Sequence, residues 1–496
     1  MTANSCILAL DVGTQSTRAG IVDLQGRILH IAQIGHAVDS PQPGWAQQNP
    51  DQWWQEACRA IRDAIRSAGV APGDIAAVAS CGQMHGPVGI DGEGRVTTPH
   101  VQLWCDKRCQ LQCTRLRQEH PEAELATVSA NFVNPAWIGP KVRWYKDNVP
   151  EQYEQAVCFL TPKDFINFRL TNVPATDPSE ASGSYIWDWQ ADSYSPPIAE
   201  AMGVALEKFP PVLPSSAAIG TVTERAAAET SIPAGVPVAA GGGDFPVSML
   251  GFGLVCEGIT ADVTGTSNLL ATHSATPLIH PAIQNLRHVV DGWIPFTITD
   301  CGGMSMKWCK DLIDSAAGRD VPYDDLIEMA SQVPIGSDGL LFYPYMLGER
   351  RPENMAARGA FFNLGLNHNA AHLIRAVMEG VALSTWQNAE RFRELGHTMD
   401  AVLCVGGGTR NAMWTQMKAD MLAVPLELSE EPEAGIKGAA MLGAAAAGLI
   451  DNLTEESLKR RKTDKIVRPA AANSALYKEV LKEFERMYHH MLGYWK

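Results

Sequence analysis

The stretch that decides the fold is CILALDVGTQSTRAGIV, residues 6–22. An apolar run from Cys6 to Leu10 enters DVGTQST, and a second apolar run, Ala19 to Val22, leaves it. Two β-type runs around a short Gly/Thr/Ser segment read as a hairpin with a hydroxyl-rich tip. The pattern returns in residues 258–272, where DVTGTSN lies between two further apolar runs. Asp11-Val12-Gly13-Thr14 thus has a counterpart in Asp262-Val263-Thr264-Gly265-Thr266. We read this as an internal duplication, with domains expected at 1–250 and 251–496. At 496 residues the chain exceeds what a single core supports, which agrees with two domains.

Around the first hairpin the chain alternates. Arg27 to Ile34 reads as a strand. A helix is expected from Pro50-Asp51, with Trp53, Trp54, Ala57, Ile61 and Ile65 at helical spacing. Ile75 to Ala79 is a short buried strand ending at CGQMHG, and Val236 to Gly243 is an apolar run ending in three glycines before Asp244. The second half is expected to carry a strand at 339–345, a helix at 370–392, a strand at 401–405 ending in Gly406-Gly407-Gly408, and a helix at 413–422. A final strand at 424–428, an Ala-rich helix from Ala434 and a C-terminal surface helix complete it. The fold class is α/β, and glycine-rich strand ends that feed helices are where such folds place ligands.

Bulk properties exclude several classes. Apolar residues make up 46% and charged residues 19%, an ordinary globular balance. A net charge of −15 repels nucleic acid and anionic lipid, so no nucleic-acid or membrane partner is expected. The small-apolar run from Gly438 to Ile450 is too short to span a bilayer, and MTANSCILALDVG lacks the basic segment of a signal peptide. The eleven scattered cysteines suggest reduced thiols in a cytoplasmic protein.

The chemistry concentrates in a few places. Gly13, Thr14, Gln15, Ser16 and Arg18 offer backbone N–H groups, hydroxyls and a cation suited to polyphosphate oxygens, and Asp11 is placed to hold a hydrated Mg²⁺. An ordinary hairpin turn explains this loop equally well. Gly265, Thr266, Ser267 and Asn268 repeat the chemistry, and two such loops facing each other can grip the phosphates of a nucleotide such as ATP. Neither loop is a P-loop. Asp244, at a strand end, is placed to accept a proton from an attacking hydroxyl, or to cap the following helix. Met84 and His85 end another strand, and Trp104 with Asp106 in LWCDKRC suits either a sugar or an ordinary domain surface. Gly407 and Asn411 can admit an adenine ring, with Gly303 and Lys307 as the facing wall; tight turns explain these glycines too. No G-x-G-x-x-G follows the first strand, so a dinucleotide-dependent oxidoreductase is set aside.

Taken together these residues resemble the FGGY family of carbohydrate kinases, and within it the xylulokinase-like branch. The likeness runs in order through DVGTQSTR, PGWAQQNPDQWW, GQMHG, LWCDKRC, PKDFINFRLTN and SEAS. It continues through GGGD, DVTGTSN, GLLFYPYMLGERRP with ARGAFF, AVMEGVA, GGGTRNAMWTQMKADML and EAGIKGAA. The resemblance implies two actin-like, ribonuclease H-type domains with ATP and sugar in the cleft between them. It assigns Asp244 as catalytic base, Met84 and His85 as sugar contacts, and Trp104 and Asp106 to a segment bordering the sugar. Asp11 falls near the metal, Thr14, Gln15, Ser16 and Arg18 in the first phosphate loop, and Gly265, Thr266 and Ser267 in the second. Gly303, Lys307, Gly407 and Asn411 surround the nucleoside. The expected reaction is phosphorylation of a small sugar by Mg-ATP, with D-xylulose giving the 5-phosphate as the first choice. Another ketose, tetrulose, polyol or hydroxy-ketone is the alternative, and an actin-like switch without a small substrate is the competing class. A homodimer is compatible with this reading. The sequence departs from the family at Phe245, where a polar Asn or Gln commonly follows the base, and at SEAS and SANF in place of SDAS and SGNP.

Overall fold

The computed structural model describes residues 5–349, 354–429 and 431–495. The last part of GLLFYPYMLGERRP, from Arg350 to Pro352, lies outside the described residues.

The opening hairpin forms as its pattern requires. Strand Cys6–Val12 is buried throughout and pairs antiparallel with Ser16–Asp23, Val12 opposite Thr17. Burial on both faces explains the continuous apolar run, because this strand is central. Its other neighbour, Ile75–Gly82, runs parallel to it. The first sheet has the order 218–221, 237–239, 75–82, 6–12, 16–23, 28–35. The second hairpin seeds the same arrangement: Gly258–Thr264 pairs antiparallel with Asn268–Thr272 and parallel with Met399–Val405. Read from its antiparallel side, the second sheet runs 293–299, 268–272, 258–264, 399–405, 426–428, 465–467, with 284–287 added outside the first of these. Read from 28–35, the first sheet shows the same sequence of antiparallel and parallel pairings, so the short motif echo falls on matching central hairpins; the far edges differ, because 218–221 precedes 237–239 in the chain whereas 465–467 follows 426–428. The sequence reading ended the sheet at 424–428; the structure adds Lys465–Val467, an edge strand of three residues with two exposed, too short to leave a pattern.

Helix Pro50–Ala68 starts at an Asn49 cap and stops at a left-handed Gly69. Trp53, Trp54, Ala57, Ile61 and Ile65 all face the first core, and each large side chain contributes about 1.5–3 kcal/mol by leaving water. The C-terminal helix Ala471–Leu492 is less superficial than its charge suggests. Tyr477, Leu481, Phe484 and Tyr488, spaced four, three and four apart, are buried along one face.

The two halves meet through a pair of helices. Asp244–Phe252 follows the first sheet, and Ala434–Ala446 returns from the second half to lie on strands Cys6–Val12 and Ile75–Gly82. Ile7, Ala9, Ala79, Val247, Leu250, Ile436 and Ala440 share one core cluster there. The helices approach so closely that a Cβ at Gly251 would stand 2.1 Å from the Ala434 carbonyl oxygen, and one at Gly438 2.1 Å from that of Val247. A second link joins the halves through two asparagines. Asn131 Oδ1 accepts the Asn285 N–H at 2.8 Å, while its Nδ2 donates to the Asn285 carbonyl at 2.9 Å.

Candidate active site

Asp244 is the first residue of its helix, with Gly243 as the cap, so the capping alternative is not realised. Its Oδ1 accepts the Phe245 N–H at 2.7 Å. Burial first, and then the neighbouring Asp11 carboxylate, push the Asp244 pKa up to about 7. A carboxylate in that range accepts a proton far more readily than an exposed aspartate does.

The backbone that presents Asp244 is fastened by side chains from two distant motifs. Lys163 Nζ donates to the Ala240 carbonyl at 3.0 Å, and Asn167 Nδ2 to the same oxygen at 2.9 Å. Ser179 Oγ accepts the Gly243 N–H at 3.0 Å and donates to Asp177 Oδ2 at 2.7 Å. Asp177 in turn lies 2.9 Å from Lys163 Nζ through Oδ1. PKDFINF and SEAS therefore act on the strand end before Asp244. Sequence reading gave these residues no individual role, because they lie more than 60 positions from Gly243 and Ala240. Glu180 beside Ser179 is buried with neither carboxyl oxygen hydrogen-bonded; burial first, then Asp164, push its pKa well up.

Each hairpin tip is closed by its glycine. Gly13 N–H donates to the Ser16 carbonyl at 3.0 Å and Gly265 N–H to that of Ser267 at 2.9 Å. The first tip is braced from below: Gln48 Nε2 donates to the Thr14 carbonyl at 2.8 Å, and His36 Nε2 lies 2.9 Å from the Gly13 carbonyl. Arg18 leaves the loop to bind Asp11 Oδ2 at 2.6 Å and Glu433 Oε2 of the second half at 2.7 Å. Asp262 pairs instead with Lys418, which also donates to Thr264 Oγ1 at 2.6 Å. The duplicated aspartates have thus diverged in their cationic partner.

A cavity of about 370 Å³ lies between the halves, and Met84, His85, Trp104, Asp106, Asp244 and Phe245 all line it. The six expected acceptor residues are therefore gathered in one place. His85 adopts a left-handed backbone, φ +71°, uncommon for a non-glycine residue and typical of functional turns. Burial first, and then Lys141, depress its pKa to about 3, so the ring is neutral at pH 7. Lys141 Nζ donates to the His85 carbonyl at 2.9 Å and the Leu103 carbonyl at 2.7 Å, which ties GQMHG to LWCDKRC. Trp104 Nε1 donates to Thr14 Oγ1 at 3.1 Å and so links the cavity to the first loop. Asp106 stands in the wall with its carboxylate already engaged. Ala46 N–H donates to it at 2.6 Å and Arg108 Nη2 at 2.7 Å, so it holds the loop in shape.

On the opposite side, Gly303 N–H donates to the Gly265 carbonyl at 2.9 Å and Met304 N–H to that of Thr266 at 3.1 Å. A Cβ at Gly406 would sit 2.6 Å from the Thr264 carbonyl oxygen. Gly303 and the Gly406–Gly408 turn therefore pack against the second loop. Lys307 is one turn along its helix and exposed, paired with Asp311 at 2.8 Å. Asn411 caps helix Ala412–Leu422 by accepting the Trp414 N–H at 3.1 Å. Sequence reading missed the second-half wall of the cavity, including Leu269, Gln284, Phe296 and Ile298. Its signal was the alternation of Ile294, Phe296 and Ile298 with Pro295, Thr297 and Thr299 along Trp293–Thr299.

The fold is a pair of like-built α/β halves, each with a glycine-closed hairpin loop, and a cavity lined by residues of both halves. Family models describe the rest: residues 6–251 match the N-terminal domain, and residues 261–447 the C-terminal domain, of the FGGY family of carbohydrate kinases. The chain is 28% identical over 488 residues to a xylulose kinase of Bacillus subtilis, covering 98% of this chain and 97% of that protein. It is 29% identical over 510 residues to an autoinducer-2 kinase of Klebsiella pneumoniae, covering 99% and 94%. A solved xylulose kinase from Rhodospirillum rubrum superposes with a TM-score of 0.93 at 28% identity, covering 99% of both chains. This chain belongs to the FGGY family of carbohydrate kinases and has the family's two-domain actin-like fold. It is an ATP-dependent carbohydrate kinase. Among the described residues, no helix is long and apolar enough to cross a membrane.

Proposed function

We propose that the chain transfers the γ-phosphoryl group of ATP to the terminal hydroxyl of a ketopentose, with D-xylulose giving the 5-phosphate as the reference reaction. The observation that carries this reading is Asp244, with a pKa near 7, in a cavity walled by both halves. Xylulose kinases among the relatives support the choice of a ketose.

In this reading Asp244 orients the attacking hydroxyl and takes its proton, while neutral His85 offers a hydrogen bond without adding charge. Residues 13–16 and 265–267 hold the phosphates, and Trp104 keeps the first loop in register with the acceptor. Gly303 and Gly407 leave room for the nucleoside; Lys307 and Asn411 border it. The division at 1–250 and 251–496 then places one phosphate loop in each domain. Mg²⁺ fits this donor set. Asp11 is a carboxylate at the base of the first loop, and both Arg18 contacts fall on its Oδ2. Among the described residues no cluster of three His, Cys, Asp or Glu forms a cage. Mg²⁺ requires only one or two carboxylates when phosphate oxygens and waters complete its shell. When bound, it neutralises phosphate charge.

A coupled ADP-release assay tests the proposal. ADP formation should depend on D-xylulose, and kcat/KM for the sugar should fall as the pH drops below about 7. The sign follows from the base: above its pKa Asp244 is ionised and accepts a proton, and below it the carboxyl is already protonated. Sugar-independent ADP release, or a flat profile between pH 5 and about 8, would count against it.

A further inference from the structure

Strand Gln284–Arg287 lies outside the part of the second sheet that matches the first, and among the described residues it is the end strand of its sheet. The outer edge of such a strand leaves backbone N–H and C=O groups that need partners. Here side chains of the first half take them up. Asn131 Oδ1 accepts the Asn285 N–H at 2.8 Å, Asn131 Nδ2 donates to the Asn285 carbonyl at 2.9 Å, and Ser182 Oγ accepts the Arg287 N–H at 2.9 Å. The contact is reciprocal, since Asn285 Nδ2 donates to the Ala130 carbonyl at 2.8 Å and Arg287 Nε lies 3.2 Å from Asp192 Oδ1. Ala130 ends helix Glu122–Ser129 in the left-handed conformation, φ +60°, which an alanine adopts only against steric cost. The alternate residues of the strand, Gln284 and Leu286, line the acceptor cavity, Gln284 beside its register partner Phe296. The strand is thus fastened to the first half through residues 285 and 287 and faces the cavity with residues 284 and 286.

We infer that Asn131 is a positioning residue for acceptor binding: by completing the edge of Gln284–Arg287 from the first half, it holds Gln284 and Leu286 in place opposite His85 and Asp244. This rests on the proposed ketose kinase activity and names a residue that assembles its acceptor cavity. Asn131 stands outside the cavity lining and acts through the strand. Each phosphate loop has its own closure, Gly13 to Ser16 and Gly265 to Ser267, and neither depends on Asn131. Loosening the strand therefore weakens the hold on the sugar and leaves the grip on ATP.

Steady-state kinetics with D-xylulose test this. Asn131→Ala should raise KM for the sugar about tenfold, with KM for ATP and kcat at saturating sugar within about twofold of the unaltered protein. Asn131→Asp keeps an oxygen for the Asn285 N–H and loses the amide donor. It should raise the sugar KM about threefold, and it supplies the measurement if the alanine variant does not fold. In a Gln284→Ala background, Asn131→Ala should add less than about threefold, because both changes act on one wall. An unchanged sugar KM in the folded variants overturns the inference. So do equal rises in both KM values, a fall in kcat larger than the rise in sugar KM, and full additivity with Gln284→Ala. If the unaltered protein accepts another ketose and not D-xylulose, the choice of D-xylulose fails and the same comparisons decide the inference on that ketose. Absence of sugar-dependent ADP release with every ketose of a panel removes the underlying reading and this inference together.

Discussion

Asp244→Asn should reduce kcat for sugar phosphorylation by about 10²–10⁴-fold, equal to about 3–5 kcal/mol of transition-state stabilisation. The amide keeps the size of the side chain and can still meet the Phe245 N–H through its oxygen, so the helix start is preserved. What disappears is the carboxylate that takes the hydroxyl proton in the proposed reaction. The carboxylate is also expensive to maintain, since burial and Asp11 both raise its pKa. The variant should therefore be at least as stable as the parent above pH 7, where the parent must keep this carboxyl ionised. ATP affinity, measured by calorimetry, should change little, because the Asp244 carboxylate is hydrogen-bonded within its own helix start, at the Phe245 N–H. A variant that kept its kcat would remove Asp244 from the chemistry. An equal loss of ATP binding would show a structural role instead.

Lys163→Met should cost about 3–5 kcal/mol of folding stability, the largest effect expected outside the chemistry itself. Lys163, Asp164 and Asp177 are fully buried, and Lys163 Nζ contacts both carboxylates. Burial opposes the lysine charge, but Asp164 and then Asp177 outweigh it, so its pKa is pushed up and the ammonium persists. Without that cation two buried carboxylates face each other uncompensated. The damage should also reach the active site: the same ammonium holds the Ala240 carbonyl, and Asp177 holds Ser179, which holds Gly243. Urea unfolding should show the midpoint falling, and the surviving folded protein should lose kcat more than sugar affinity. Unchanged unfolding and unchanged kcat would show that the cluster neither stabilises the fold nor positions Asp244.

The sequence revealed those parts of the fold in which local pattern and tertiary role coincide. The buried strand Cys6–Val12 had to be apolar throughout, and helix Pro50–Ala68 carried its own cap, stop signal and apolar stripe. The echo between DVGT and DVTGT pointed to two sheets built around matching central hairpins, each with a parallel strand beside it. Asp244 was legible because three glycines before a carboxylate are unusual on an apolar run. Other features had no local signature. Asp106 looked available until Arg108 and the Ala46 N–H were found on it, and only the second of these partners is remote in sequence. Lys163, Asp177 and Ser179 cooperate across long separations. Asn131 clasps Asn285 over 154 positions, and nothing in SANF announces its partner. The second-half wall of the cavity lay in a strand that does alternate, Ile294, Phe296 and Ile298 against Pro295, Thr297 and Thr299, but nothing local shows that this face meets a cavity built with the other half.

The central claim is that Asp244 promotes direct phosphoryl transfer from ATP to a sugar hydroxyl inside the interdomain cavity. Phosphorus NMR of a stoichiometric mixture of protein, Mg-ATP and ketopentose follows the transferred group itself. The account predicts that the γ-phosphate signal is replaced by that of a sugar phosphomonoester in the unaltered protein, with Asp244→Asn leaving ATP intact over the same time. Conversion of the γ-phosphate to inorganic phosphate, or an equal yield of sugar phosphate from Asp244→Asn, would contradict it.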